Sequence, residues 1–268
     1  MFPMPRNRSG AHRPSDPAAT IANPREREVP ASPRKPDGSG MPQPTLHLEA
    51  RLAEQGHDLI VGFDEVGRGA LAGPVMVGAA AIWARDLPDM GIPDGVADSK
   101  LLTARKREAM FDGLRRWCAA DAVGQASNTE IDEWGISYAL GIAALRALND
   151  VERQLGDELA DGSSVGAILD GPNDYITKVR DTFDAPHPRV PAQVVTAVRA
   201  DQHCASVSAA SVIAKVTRDR LMVSIAQGNP LYQPYGWAHN KGYGSAQHRA
   251  AIARLGPTSL HRVTWHLI

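Results

Sequence analysis

The sequence is short of the features that assign a protein quickly. Only two cysteines occur in its 268 residues, Cys118 and Cys204, so there is neither a disulfide framework nor a zinc-finger spacing, and a reducing, cytoplasmic location is expected. No apolar run reaches the ~18 uncharged residues of a membrane span, and the N-terminus lacks the basic-then-apolar order of a secretory signal; no membrane partner is expected. No internal repeat is visible. Net charge is nearly absent, with 29 Lys and Arg against 30 Asp and Glu and a balance of −1, so total charge says nothing about a nucleic-acid partner. What remains is an ordinary globular composition, 43% hydrophobic, in a length that allows one large domain or two small ones.

Charge is less even along the chain. Residues 199 to 249 carry Arg199, Lys215, Arg218, Arg220, Lys241 and Arg249 against only Asp201 and Asp219, which reads either as a basic face or as a well-solvated one. Residues 1–44 are dense in Pro, Ser, Gly and charge with almost no periodic apolar positions. Such a stretch buries too little surface to offset chain entropy and is expected to be disordered. Met41 is a second plausible start. Two further segments are expected, 45–226 as a catalytic domain and 227–268 as a substrate-binding loop with a helical region.

The apolar runs Leu59–Phe63 and Val75–Trp83 read as short buried strands. Ser164–Gly171 and Ala192–Val198 read as two more. Helical spacing covers Leu46–Gly56, the stretch "SKLLTARKREAMFDGLRRWCAA" with Thr103 as N-cap, the stretch "NTEIDEWGISYALGIAALRALNDVERQL" with a break near Gly135, Ala205–Ala226 and Ala246–Leu255. The Ala- and Ser-rich start of the helix at Ala205 implies close approach to a sheet. Strands first and then strands alternating with helices indicate a mixed α/β sheet.

Acids stand at the ends of these strands: Asp64 with Glu65, then Asp170, then Asp201. Ligands of open α/β sheets gather at the carboxyl ends of strands, so acids there can converge although distant in sequence. Clustered carboxylates repel unless a cation sits among them, and an all-oxygen set suits Mg²⁺ or Mn²⁺ rather than zinc. Two such ions can orient water and stabilise a leaving oxygen in phosphodiester hydrolysis. Acids at strand ends also serve as caps and turn residues, and by composition Asp98, Asp132 and Asp174 look no different. Directly after Asp64 and Glu65 comes Gly67-Arg68-Gly69, which serves either a ligand-touching turn or a tight strand-to-strand connection. In "NKGYG", Tyr243 between glycines and beside Lys241 can stack on a sugar or base while the lysine meets phosphate. Tyr232, Tyr235 and Trp237 read as loop packing, Lys215 and Asp219 as an i,i+4 ion pair. His248 is either structural or an aid to proton transfer.

The stretches "GFDEVGRGALAGPV", "DSKLLTARKRE", "EIDEWGISYAL", "ILDG", "ADQHCASVSAASVIAKVTRDRLM" and "YGWAHNKGYGSAQH", followed by "LHRVTW", stand in the order found in one family. In them the sequence resembles ribonuclease HII, the bacterial type 2 ribonuclease H. The resemblance implies a ribonuclease H-like fold: a central mixed five-stranded sheet flanked by helices, plus a helical C-terminal region. It implies a metal site of Asp64, Glu65, Asp170 and Asp201 holding Mg²⁺ or Mn²⁺. It also implies that Gly67, Arg68 and Gly69 read the ribose 2′-hydroxyl and that Tyr243 stacks under the next deoxyribose, with Lys215 and Lys241 beside the substrate. The implied substrates are RNA–DNA hybrids and duplex DNA containing ribonucleotides; a monomer with no obligate protein partner is expected, because nothing in the pattern suggests a dedicated oligomer seam.

Two departures from the family pattern stand out. The segment between Asp170 and Asp201 is longer than expected and reads as an extended hairpin or loop. Arg199-Ala200 replaces the usual Lys-Gly before the fourth acid, which makes Asp174 the alternative fourth ligand. The competing functions are a nucleic-acid-binding protein of the same fold without catalysis, and a DNA-strand-transfer enzyme. The four acids speak against the first, and the ribose-reading turn against the second.

Overall fold

Helix α1 (His47–Glu54) leads into β1 (Leu59–Val66), which pairs antiparallel with β2 (Val75–Trp83) from Leu59↔Trp83 to Val66↔Met76. The computed structural model describes residues 43–268. The Pro/Arg-rich stretch expected to be disordered therefore lies, apart from Gln43 and Pro44, outside the described residues. After β2 come α2 (Ala104–Trp117), β3 (Ala120–Ala126), α3 (Asn128–Trp134) and α4 (Ile136–Leu155). Then β4 (Val165–Asp170), α5 (Ile176–Arg180), β5 (Gln193–Ala197), α6 (Ala200–His203), α7 (Ala205–Gly228), α8 (Trp237–Asn240) and α9 (Ala246–Leu255) complete the chain. The sheet order is β3-β2-β1-β4-β5, antiparallel among β1, β2 and β3 and parallel from β1 through β4 to β5. This is the mixed five-stranded sheet flanked by helices, with a helical C-terminal region, that the resemblance implied.

The continuous burial of β1 and β2 follows from helices on both faces of the sheet. Leu59, Val61 and Phe63 join Val75, Val77, Ala79 and Ala81 in a core beneath α4, while Ile60 and Ile82 pack on the other face with Val207 of α7. Close approach of α7 depends on glycine. A Cβ on Gly62 would stand 2.5 Å from the Ser206–Val207 backbone, and one on Gly78 2.4 Å from the Ala210 carbonyl oxygen. The small residues at the start of α7 are the other half of that contact, as its composition implied.

Local signals account for several boundaries. Thr103 caps α2 by accepting from the Lys106 amide, and Ser127 with Glu130 forms a capping box on α3. Gly135, at φ 80°, separates α3 from α4 at the anticipated break. Three features differ from the sequence reading. The helix α2 stops at Trp117, and the Ala-, Gly- and Asp-containing run that follows forms β3, which low strand propensity concealed. Asp64 and Glu65 lie inside β1, because its ladder with β2 continues to Val66. The segment between Asp170 and Asp201 holds α5 and β5 with no hairpin of its own.

Candidate active site

The site begins with strand register. The parallel β1–β4 ladder ends at the pair Phe63↔Leu169, so the next residue on each strand is an acid, Asp64 on one and Asp170 on the other. Asp64 is buried, whereas Asp170 and Glu65 are half-buried. The three carboxylates line one cleft of about 210 Å³ with Ser99, Lys100, Ser211, Lys215 and Tyr243. Burial, then the charges of Asp170 and Glu65, push the Asp64 carboxyl up to about 8, against a hydrogen bond from Ser211 and the charge of Lys100. Asp170 Oδ1 accepts from the Ala200 amide at 2.7 Å, which ties the end of β4 to the start of α6. A larger cavity of about 500 Å³ shares Glu65, Arg68 and Asp170 with the cleft and continues along Trp134, Tyr138 and Lys178.

Asp201 sits in the single turn of α6 rather than at a strand end, and it is buried. Its carbonyl accepts from Ser208 Oγ at 2.7 Å, while its Oδ2 receives the Lys100 ammonium at 3.2 Å. Burial and the neighbouring Asp170 raise its pKa, with Lys100 opposing. Lys100 thus bridges the cleft and the fourth acid. Although burial works against its charge, Asp64, Asp201 and Asp98 together hold its ammonium above the ordinary lysine value.

The glycine turn faces the same cleft. Gly67 adopts φ 81°, and a Cβ there would meet Arg218 Nε at 2.1 Å. The Gly67 amide donates to the Tyr243 hydroxyl at 3.1 Å. Arg68 reaches back to Glu65 Oε1 at 3.2 Å, and Tyr175 donates to Glu65 Oε2 at 3.4 Å. The amides of Arg68 and Gly69 have no hydrogen-bond partner among the described residues. Lys215 and Arg218 lie 5.8 and 5.5 Å from the Tyr243 ring centre.

Other candidate residues have different employment. Lys215 pairs with Asp219 at 2.7 Å, as its spacing implied, and lines the cleft as well. Lys241 does not line it: its ammonium binds the carbonyls of Ala238 and His239 at the end of α8. Asp174, the alternative fourth acid, is occupied at the start of α5, its Oδ1 accepting from the Ile176 and Thr177 amides. Asp98 turns the chain ahead of Lys100, and Asp132 clasps the backbone of Val263 and Thr264. His248 is fully buried, with Nδ1 on the Tyr243 carbonyl at 2.9 Å and Nε2 on Trp237 and His261, so it supports the Tyr243 loop from behind. Tyr235 and Trp237 are packed in a small core, as read from sequence. Sequence reasoning missed Lys100, Arg218 and Arg262. A lone cation carries no spacing signal, and the available sign was only that each lies in a stretch matching the family.

The family profile and the sequence relatives agree on one assignment. The Ribonuclease HII family profile matches residues 61–268. The chain belongs to the ribonuclease HII family. The ribonuclease HII of Streptomyces avermitilis is 41% identical over 223 residues, 83% of each chain. That of Ruegeria pomeroyi is 40% identical over 224 residues, 83% of this chain and 82% of the relative. Among solved structures, the ribonuclease H2 of Pyrococcus horikoshii superposes with a TM-score of 0.58 at 26% identity, covering 78% of this chain and 94% of that one. Membership of the ribonuclease HII family supports nuclease activity of the ribonuclease H type.

The candidate donors in this chain are carboxylates only. Asp64, Glu65 and Asp170 crowd one cleft, and burial first, with the charges of Asp170 and Glu65 adding to it, raises the Asp64 carboxyl. That chemistry fits a hard divalent cation. As the side chains stand, no three His, Cys, Asp or Glu among the described residues are grouped as ligands to a single ion. Lys100 holds the position on Asp201 that a cation would otherwise compensate.

Proposed function

We propose that this chain is a metal-dependent endoribonuclease that hydrolyses the RNA strand of RNA–DNA hybrids and nicks duplex DNA on the 5′ side of single embedded ribonucleotides. The observation that carries the proposal is the shared cleft: three carboxylates and the Gly67-Arg68-Gly69 turn, with two unpartnered amides, stand against the same space. The 2′-hydroxyl distinguishes RNA from DNA, and a turn offering backbone N–H groups beside the carboxylates is placed to test for its oxygen.

Asp64, Glu65 and Asp170, with Asp201 as the fourth, are the residues proposed to hold Mg²⁺ or Mn²⁺. When bound, the ions supply Lewis-acid stabilisation of the phosphate and a more nucleophilic water. The protein's own part is positional. Tyr243, held by its hydroxyl on the Gly67 amide and flanked by two cations, offers a face for the deoxyribose that follows the ribonucleotide. Lys215 faces the strand as a phosphate partner. Attack by water rather than by the adjacent 2′-oxygen leaves 3′-hydroxyl and 5′-phosphate ends. The larger cavity shared through Glu65, Arg68 and Asp170 gives the strand room to continue past the cleft.

The test is single-turnover cleavage of an RNA–DNA hybrid in Mg²⁺ or Mn²⁺ by wild type, Asp64→Asn, Asp170→Asn and Asp201→Asn. Each variant is expected to lose roughly a thousandfold or more, the scale of several kcal/mol of transition-state stabilisation. The Asp64 carboxyl is raised, so in metal-free protein its contribution to stability is full below about pH 4 and declines as pH rises toward 8. Asp64→Asn is therefore expected to have the higher thermal midpoint at pH 8 while being inactive. Tight hybrid binding by a wild type that does not cut in either metal would replace the proposal with a binding protein of the same fold.

A further inference from the structure

We infer that Arg262, near the C-terminus, is a positioning residue that aims the glycine turn of the site at its substrate. The inference rests on the reading of that turn as a ribose reader. Arg262 is fully buried. Its Nη2 donates to the Gly67 carbonyl at 2.7 Å, Nη1 to the Arg68 carbonyl at 2.8 Å, and Nε and Nη2 to the Gly73 carbonyl at 3.2 and 3.1 Å. One planar fork thus grips three carbonyls of a single loop, a geometry that lysine cannot reproduce.

The consequence follows from peptide planarity. In a trans peptide the carbonyl of one residue and the N–H of the next point in opposite directions. With the Gly67 and Arg68 carbonyls drawn onto Arg262, the amides of Arg68 and Gly69 point away from it, and these are the two amides without a partner among the described residues. Arg262, together with the Ala70 amide that also donates to the Gly67 carbonyl at 3.2 Å, therefore sets which side of the turn offers donors. Its own segment is tied to the loop by backbone bonds as well: the Arg262 amide donates to the Leu71 carbonyl, and the Gly73 amide to the Leu260 carbonyl.

The same segment reaches the other side of the reader. The Thr258 amide donates to His261 Nδ1 at 2.8 Å, so that nitrogen is unprotonated and Nε2 carries the ring hydrogen. The Trp237 indole N–H donates to His248 Nε2 at 2.9 Å, so His248 Nδ1–H donates to the Tyr243 carbonyl, and His261 Nε2–H lies against the same His248 nitrogen at 3.0 Å. Neighbouring residues of one short segment thereby hold both the turn and the tyrosine.

Hydrogen exchange of wild type, Arg262→Met and Arg262→Lys over residues 66–75 tests the grip without substrate. Nicking of duplexes with and without one ribonucleotide tests its purpose, and the Mn²⁺-induced rise in thermal midpoint reports the metal site separately. Exchange is expected to speed up over 66–75 but not in β4 in both variants. The preference for the ribonucleotide duplex should fall roughly tenfold or more, the scale of a lost charged hydrogen bond, with Arg262→Lys less affected and the Mn²⁺ shift retained. If Arg262→Met does not fold, Arg262→Lys carries the same comparison. Unchanged exchange overturns the inference, as does faster exchange with the ribose preference intact. A wild type without any ribose preference overturns the proposed function instead, and exchange still decides whether Arg262 holds the turn.

Discussion

Gly67 and Gly69 flank the same arginine yet meet different surroundings. Gly67 needs its positive φ, and any Cβ there collides with the buried Arg218 guanidinium; at Gly69 nothing lies within 4 Å and φ is ordinary. Gly67→Ala is therefore expected to cost on the order of 1–3 kcal/mol of stability through backbone strain and overpacking. Gly69→Ala is expected to leave stability within about 0.5 kcal/mol, as for an open site. Thermal unfolding of the two variants checks this, and any activity lost in Gly69→Ala then belongs to the substrate side of the turn. Much of this residue scale was readable beforehand. Asp64, Glu65 and Asp170 stood out because the apolar runs of the sequence stop at them, although β1 itself continues to Val66, and the glycines because they adjoin those acids. Arg218 and Arg262 were not readable, since what makes them matter is burial against carbonyls more than a hundred residues away.

At the scale of elements, the C-terminal region is a polar array inside an apolar packing. Tyr235 and Trp237 flank His248 and His261, with ring centres 5.0 to 6.1 Å from the two imidazoles, and Tyr232 packs on Trp237 at 4.9 Å. Burial, then the proximity of His248, push His261 down to about 4; burial also lowers His248. Both rings are thus neutral when folded and take up protons more readily when unfolded. Their contribution to stability is complete above about pH 6.5 and is lost as pH falls toward 4, on the order of 3 kcal/mol for His261. Thermal midpoints measured from pH 7 to 4 should decline less steeply in His261→Asn than in wild type; parallel curves would show that the pair does not titrate in this way. Sequence pattern located this element but not its chemistry, because a single histidine in a loop has no spacing that reveals its partner. β3 escaped for a related reason: its alanines, glycine and aspartate become a strand only beside β2.

Over the whole molecule, the chain closes its site with segments from both ends. Asn128 and Asp132 of α3 hold the backbone between Ser259 and Thr264. That segment in turn grips the loop between β1 and β2, whose strands form the centre of the sheet. The fold was legible at this scale because strand and helix periods dominate the pattern, and because the family stretches run in order along nearly all of the described residues. Asp201, proposed as the fourth acid, was read from position only: it stands on one helical turn and meets the cleft through Lys100, a route no strand-end argument contains.

The central claim is that carboxylates and ribose reader act on one phosphodiester. The most direct measurement is single-turnover cleavage, in Mg²⁺ or Mn²⁺, of two DNA duplexes differing by a single 2′-hydroxyl, with the products mapped at nucleotide resolution. One nick is expected, on the 5′ side of the ribonucleotide, leaving 3′-hydroxyl and 5′-phosphate, with no cut in the all-DNA duplex. Equal cutting of both duplexes, or of neither, would contradict it.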